Sequence, residues 1–208
     1  MNPHLILILI ALLYILMIGG LSALRKEGLS LQFAVEVVVV AGLLMAFSLA
    51  MEQAIHPVLF LGIMYLVTMR ARLIVDLGNL LARRGYGGPA MRLYDLALKL
   101  KPDGASRQIV QLNQAVHRLR AGQLAQAAAE LEELLAAAPA SLSPKHEAAA
   151  RYNLAVAYRR QGNEARAVVE FNKVIDLMPG SLYASGARSA LEKGKRPKET
   201  DDHSDLTK

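Results

Sequence analysis

Three carboxylates, Glu130, Glu132 and Glu133, stand close enough to share part of one helix surface. Paired carboxylates can act as general acid and base. Without a nucleophile or a second titratable partner beside them, they are read here as a solvated charge run on an exposed helix face. The five histidines, His4, His56, His117, His146 and His203, are not at metal-ligand spacing to one another or to a carboxylate, so no metal and no cofactor is expected. The chain contains no Cys, which excludes disulfides, thiolate nucleophiles and cysteine metal sites. Gly85, Tyr86, Gly87, Gly88 and Pro89 form a glycine-rich run. It follows a helical pattern and lacks the Lys-Ser/Thr ending of a phosphate loop, so it reads as a turn. No catalytic constellation emerges, and an enzyme is not expected. Glu36 is the one acid within its apolar run; an acid at membrane depth is a functional candidate, but its place near one end of the run lets it reach the headgroups, and that is the reading preferred here.

A different regularity organises the chain. Glycine, alanine, a bulky apolar residue, another apolar residue and proline recur at fixed offsets. The three copies are Gly85, Ala90, Tyr94, Ala97, Pro102; Gly122, Ala127, Leu131, Leu134, Pro139; and Gly162, Ala167, Phe171, Val174, Pro179. Each predicts two antiparallel helices and a stop. The glycine ends the first helix in a left-handed conformation. The alanine lets the two backbones approach closely, and the apolar residues four and seven positions on fill the seam. The proline cannot continue the second helix. In the third copy the first helix is expected over about 148–161 and the second over about 164–177. One hairpin leaves an apolar face bare, and stacking covers it, so three copies are about the minimum.

These residues resemble the tetratricopeptide repeat family. The run from Tyr152 to Asn163 is similar to the family's first helix, and Ala167, Phe171 and Pro179 complete it. Leu77, Gly78 and Leu81 match ahead of Gly85, whereas the middle copy carries Gln114 and Arg118 where apolar residues are expected. The resemblance implies an all-α superhelix of about three repeats, at 71–104, 108–141 and 148–181, within a domain at 71–192. The glycines are 37 and 40 residues apart, against a family period of 34. The extra residues are expected as loops at 103–107 and 140–146, which are rich in Ser, Gly and Pro. A capping helix is expected over 182–193 and a disordered tail over 194–208.

The resemblance also implies a concave groove lined by the first helices. Arg83, Arg120 and Arg160 stand two residues before each glycine, and stacked repeats would align them as a basic ladder. Arginine binds carboxylates in bidentate fashion, so the ladder would suit a carboxylate-rich segment of a protein or peptide partner, although the resemblance also implies a basic residue and an asparagine at these places as part of the repeat itself. Asn79, Asn113 and Asn153 would add amide contacts, with Tyr152 and Arg159 beside them. Val75 stands where the family's peptide clamp would have a lysine.

The first 69 residues read as an anchor of three membrane spans, over 5–24, 31–51 and 55–75. The third run is short, and reaching bilayer length requires extension past Arg70 and Arg72 with little break. Arg25 and Lys26 occupy the first loop, no basic residue occupies the second, and Arg70, Arg72, Arg83 and Arg84 follow the third run. Three spans satisfy the positive-inside rule at every loop; two spans would misplace one basic cluster. The N-terminus is then outside and the repeats are cytoplasmic, in a bacterial-type inner membrane. Met1–His4 carries no basic residue, so a cleaved leader is not expected. Net charge is −1 before Arg70, from two basic and three acidic residues, and +7 after it, from 22 and 15. The basic residues are dispersed and not interleaved with aromatics, so nucleic acid is not expected as a partner. The combined reading is a membrane-anchored interaction scaffold or assembly factor. The alternative is a subunit of a larger membrane complex, with Gly19, Gly20, Gly42 and Glu36 at helix–helix contacts.

Overall fold

The computed structural model describes residues 3–20, 31–137 and 142–195. Every regular element among them is helical. Helix α1, Pro3–Tyr14, runs on through a π-helical turn at Ile15–Gly19; α2 is Leu31–Ala50 and α3 is Pro57–Thr68. Then come the hairpins: α4 Arg70–Arg83 with α5 Gly87–Lys99, α6 Gly104–Arg120 with α7 Leu124–Ala137, and α8 Pro144–Arg160 with α9 Glu164–Leu177. Helix α10, Leu182–Lys195, packs on the last hairpin. It therefore includes the first two residues of the stretch expected as a tail. Residues 196–208, Arg25, Lys26 and Pro139 lie outside the described residues.

The three glycines perform the same backbone task. Gly85, Gly122 and Gly162 have φ of 86°, 83° and 81°. In each turn the residue after the glycine donates its N–H five positions back: Tyr86 to Leu81, Gln123 to Arg118 and Asn163 to Tyr158. Two otherwise orphaned carbonyls per turn are satisfied this way. Ala90, Ala127 and Ala167 are fully buried where the helices of each hairpin meet. Tyr94, Leu131 and Phe171 fill the seams beside them.

The residues beyond the 34-residue period are not all loops. Asp103 caps α6, its Oδ1 accepting the Ser106 N–H at 2.8 Å, so Gly104–Arg107 form the first helical turn. Pro144 opens α8 at a position where its missing N–H costs nothing, so Pro144–His146 are helical too. Helices α6 and α8 are each 17 residues long, against 14 for α4. Asp, Ser and Pro serve helix starts and loops alike, and here the start signal wins.

The polar residues of the middle copy have partners. Gln114 is buried and donates to Asp95 on α5 at 2.8 Å. Arg118 pairs with Glu130 on α7 at 2.7 Å. The Tyr158 hydroxyl donates to Glu132, and Arg166 lies 3.9 Å from the same carboxylate. Glu130 and Glu132 therefore bind neighbouring helices instead of forming a purely solvated face. The core is correspondingly divided. One apolar cluster joins α4, α5 and α6 around Tyr94 and Val110; another runs from Leu112 through the later hairpins to Ala187.

The run expected to continue from 55 to 75 is instead two helices, α3 and α4, bent by 71°. Met69, at φ −99° and ψ 9°, leaves helical geometry between them. The Thr68 hydroxyl bonds the Met64 carbonyl at 2.7 Å, a contact that bends helices, and lies 2.7 Å from the Tyr14 hydroxyl. Arg70 opens α4 and fastens the joint. Its terminal nitrogens donate to both carboxylate oxygens of Glu36 at 2.7 and 3.0 Å, to Val67 O at 2.7 Å and to Leu100 O at 3.2 Å. Gln32 donates to Lys101 O at 2.8 Å. The start of α2 is thus tied directly to the first hairpin.

Two predictions follow from this geometry. Gly162→Ala forces a side chain into a left-handed conformation with no neighbour in the way. It should cost about 1–2 kcal/mol in denaturant unfolding while leaving the fold intact. Arg70→Met should speed hydrogen exchange at the start of α2 and around Leu100, and the exchanged pair Glu36→Arg with Arg70→Glu should restore protection. Unchanged exchange in Arg70→Met would show that the joint does not depend on this pair.

Candidate functional site

Helices α4, α6 and α8 lie side by side, because each second helix packs behind its own first helix. The seam between α4 and α6 opens into a cleft of about 110 Å³, lined by Asn79, Ala82, Arg83, Tyr94, Asn113, Val116, His117 and Arg120. Asn79 and Arg83 are one turn apart on α4, and Asn113, His117 and Arg120 recur at helical spacing on α6. Four of the expected groove residues, Asn79, Arg83, Asn113 and Arg120, thus meet at one place.

The floor of this cleft is rigid. Tyr94 is buried and its hydroxyl donates to Asn79 Oδ1 at 2.7 Å. Burial pushes the Tyr94 phenol pKa up, with Arg120 opposing, so the hydroxyl stays a donor. Asn113 Nδ2 bonds Ile109 O at 2.9 Å within its own helix. Neither Arg83 nor Arg120 forms an ion pair among the described residues. His117 packs so tightly on Gly87 that a Cβ there would lie 2.8 Å from the ring. Burial lowers the His117 pKa, and Arg120 and Arg118 lower it further. The imidazole is therefore neutral at pH 7, and both cations beside it repel a proton.

A larger cleft of about 490 Å³ continues the seam toward the N-terminal ends of these helices. Its lining includes Arg72, Val75, Asp76, Ser106, Ile109, Lys145 and His146. Arg72 Nε donates to Ser106 Oγ at 3.2 Å, bridging α4 and α6. Val75 and Ile109 are the apolar residues of its lining, and the buried Ser106 and Ser143 are among the polar ones.

The other four expected residues face different tasks. Arg160 donates to Leu119 O at 2.7 Å, satisfying a carbonyl at the end of α6. Arg159 pairs with Glu164, donates to Ala190 O at 2.8 Å and lies 4.8 Å over the Phe171 ring. Tyr152 stands 5.7 Å from Phe171 and 5.9 Å from Tyr183, between the last hairpin and α10. Asn153 Nδ2 bonds Ala149 O at 2.7 Å. Two arginines, not three, therefore line the cleft. Sequence spacing also passed over His117 as a groove residue and read Tyr94 as a seam residue of the first repeat only. The signal for His117 was its place one turn before Arg120.

Protonation of His117 links the cleft to stability. The folded pKa lies below the ordinary 6.5, so the unfolded chain takes up the proton first as pH falls. The stabilisation is complete above 6.5 and is lost as pH drops through the folded value. Thermal unfolding should therefore show a loss of stability as pH falls below about 6.5 that is smaller in His117→Gln. An identical pH dependence in both proteins would remove His117 from this account.

No curated protein and no solved structure shows a significant match to this chain. Residues 106–179 match the family model of the tetratricopeptide repeat, a span from the first turn of α6 to the proline after α9. The stacked hairpins, their left-handed glycines and this match together show a chain that resembles the tetratricopeptide repeat family.

Proposed function

We propose that this chain is a membrane-anchored scaffold whose α4–α6 groove recruits a carboxylate-rich segment of a partner protein. Tetratricopeptide repeats are protein-interaction modules, which supports a binding role rather than catalysis. The observation that carries the choice of ligand is the cleft itself. Arg83 and Arg120 converge there without acidic partners, beside a neutral imidazole and two amides. A peptide carboxylate would accept from both guanidinium groups, and the Asn79 and Asn113 amides add polar surface to the floor beneath it.

Membrane anchoring is supported by α2, which has 20 residues, and about 1.5 Å per residue gives roughly 30 Å, the thickness of a bilayer core. Its outward side chains, including Val35, Val38, Val39, Leu43 and Phe47, are all more than half exposed. Helix α1 and the bent pair α3–α4 present further apolar surface to the same surroundings. Placing the basic repeats on the cytoplasmic face follows the positive-inside rule. A Cβ on Gly42 or Gly62 would meet nothing within 4 Å. That openness favours, as a second reading, contacts between these helices and other membrane subunits.

The test is recovery of partners from solubilised membranes with the full chain as bait. Arg83→Glu with Arg120→Glu should remove one specific partner, because each lost charge-assisted bond is worth about 1.5–3 kcal/mol. Binding should weaken by at least about tenfold. Recovery unaffected by both reversals would exclude the groove and favour contacts through the membrane helices.

A further inference from the structure

The two ends of the helical stack are finished differently. At the far end, α10 covers the last hairpin and turns Ser185, Arg188, Ser189 and Glu192 outward. That is the polar outer face a terminal unit needs. At the near end, α4 is the first helix of the stack, and beyond Leu73 its outer face is left exposed among the described residues. Val75 and Ala71 are buried, Val75 in the cluster shared with the first hairpin and α6. Directly opposite them, Leu73, Leu77, Leu80 and Arg84 fall on one stripe. Leu77 and Leu80 are 48% and 44% exposed, and Tyr86 just beyond is 58% exposed.

We propose that this α4 stripe lies in the surface of an anionic bilayer, so that the first hairpin is seated on the membrane rather than merely tethered to it. The proposal rests on the membrane reading of α1–α3 and goes beyond it. Three observations select lipid as the occupant. Leu73, on the same stripe, packs against the apolar cluster of α1, α2 and α3, so the stripe faces the side where those helices lie. The 71° bend turns α4 away from the direction of α3, close to the plane of a bilayer that α3 enters. Arg84, on the stripe itself, follows the last turn of α4 without an ion pair among the described residues, in position to meet lipid phosphates. A helix with leucines on one face and basic residues at its margin is the form that settles in a bilayer interface.

The chain has no Trp, so one introduced indole reports on its own surroundings. Full-length protein carrying Leu77→Trp, Leu80→Trp, Val38→Trp or Val169→Trp is reconstituted into phosphatidylcholine–phosphatidylglycerol vesicles with bromine on the upper acyl chain. Val38 is on α2, and Val169 is an exposed residue of α9 far from the stripe. Bromine should quench the indoles at 38, 77 and 80 and spare the one at 169. Quenching at 38 alone would overturn the seating while leaving the anchor in place. Quenching at none would overturn the anchor and the seating together. Indoles at 77 and 80 that escape bromine yet are shielded from aqueous iodide would show a protein cover, such as a second copy, and would also overturn the proposal.

Discussion

One guanidinium makes the most-connected link between the two halves of this chain. Arg70 uses both terminal nitrogens to grip the Glu36 carboxylate, the carbonyl that closes α3 and the carbonyl that closes α5. Four chain segments meet at that side chain. The contact is partly exposed, so its Coulomb energy is modest, and its value lies in geometry. Planar bidentate pairing fixes direction as well as distance. Once α4 is set at that angle, the hairpins that stack on it inherit their orientation, and so does the α4–α6 cleft.

Away from that joint the stack is built by repetition with local exceptions. The glycine turns set the hairpin geometry three times over, and small buried alanines set the spacing between paired helices. The exceptions concentrate at the middle hairpin. Gln114–Asp95 and Arg118–Glu130 replace apolar contact with directed bonds, where the core divides into two clusters. Gln114 is the buried member of these pairs, and a polar group tolerates burial only when it is bonded, as this one is to Asp95. The cleft residues Asn113, His117 and Arg120 belong to the same helix, α6. A departure from the apolar pattern therefore coincides with the place where the polar lining of the cleft collects.

Much of this was legible in the sequence because it rests on backbone requirements. A left-handed turn favours glycine, and its period is visible without any knowledge of contacts. The helix starts at Asp103 and Pro144 were hidden because the same residue types open helices and fill loops. Arg83, Arg120 and Arg160 share one register, yet Arg160 turns to the Leu119 carbonyl. Register gives the face of a helix, whereas the choice between a neighbour's carbonyl and an open cleft is made by packing across the stack. Glu36 and Arg70 were each conspicuous, but a pairing across 34 positions depends on the bend at Met69, which a continuous apolar run conceals.

The claim on which the account rests is that the N-terminal helices and the first hairpin form one rigid unit through Arg70. The chain has no Cys, so spin labels can be placed at will. Pulsed electron resonance between labels at Leu43→Cys on α2 and Arg92→Cys on α5, in full-length protein reconstituted into vesicles, measures that rigidity directly. One narrow distance that broadens on Arg70→Met is the predicted result. A broad distribution in the protein that retains Arg70 would contradict the account.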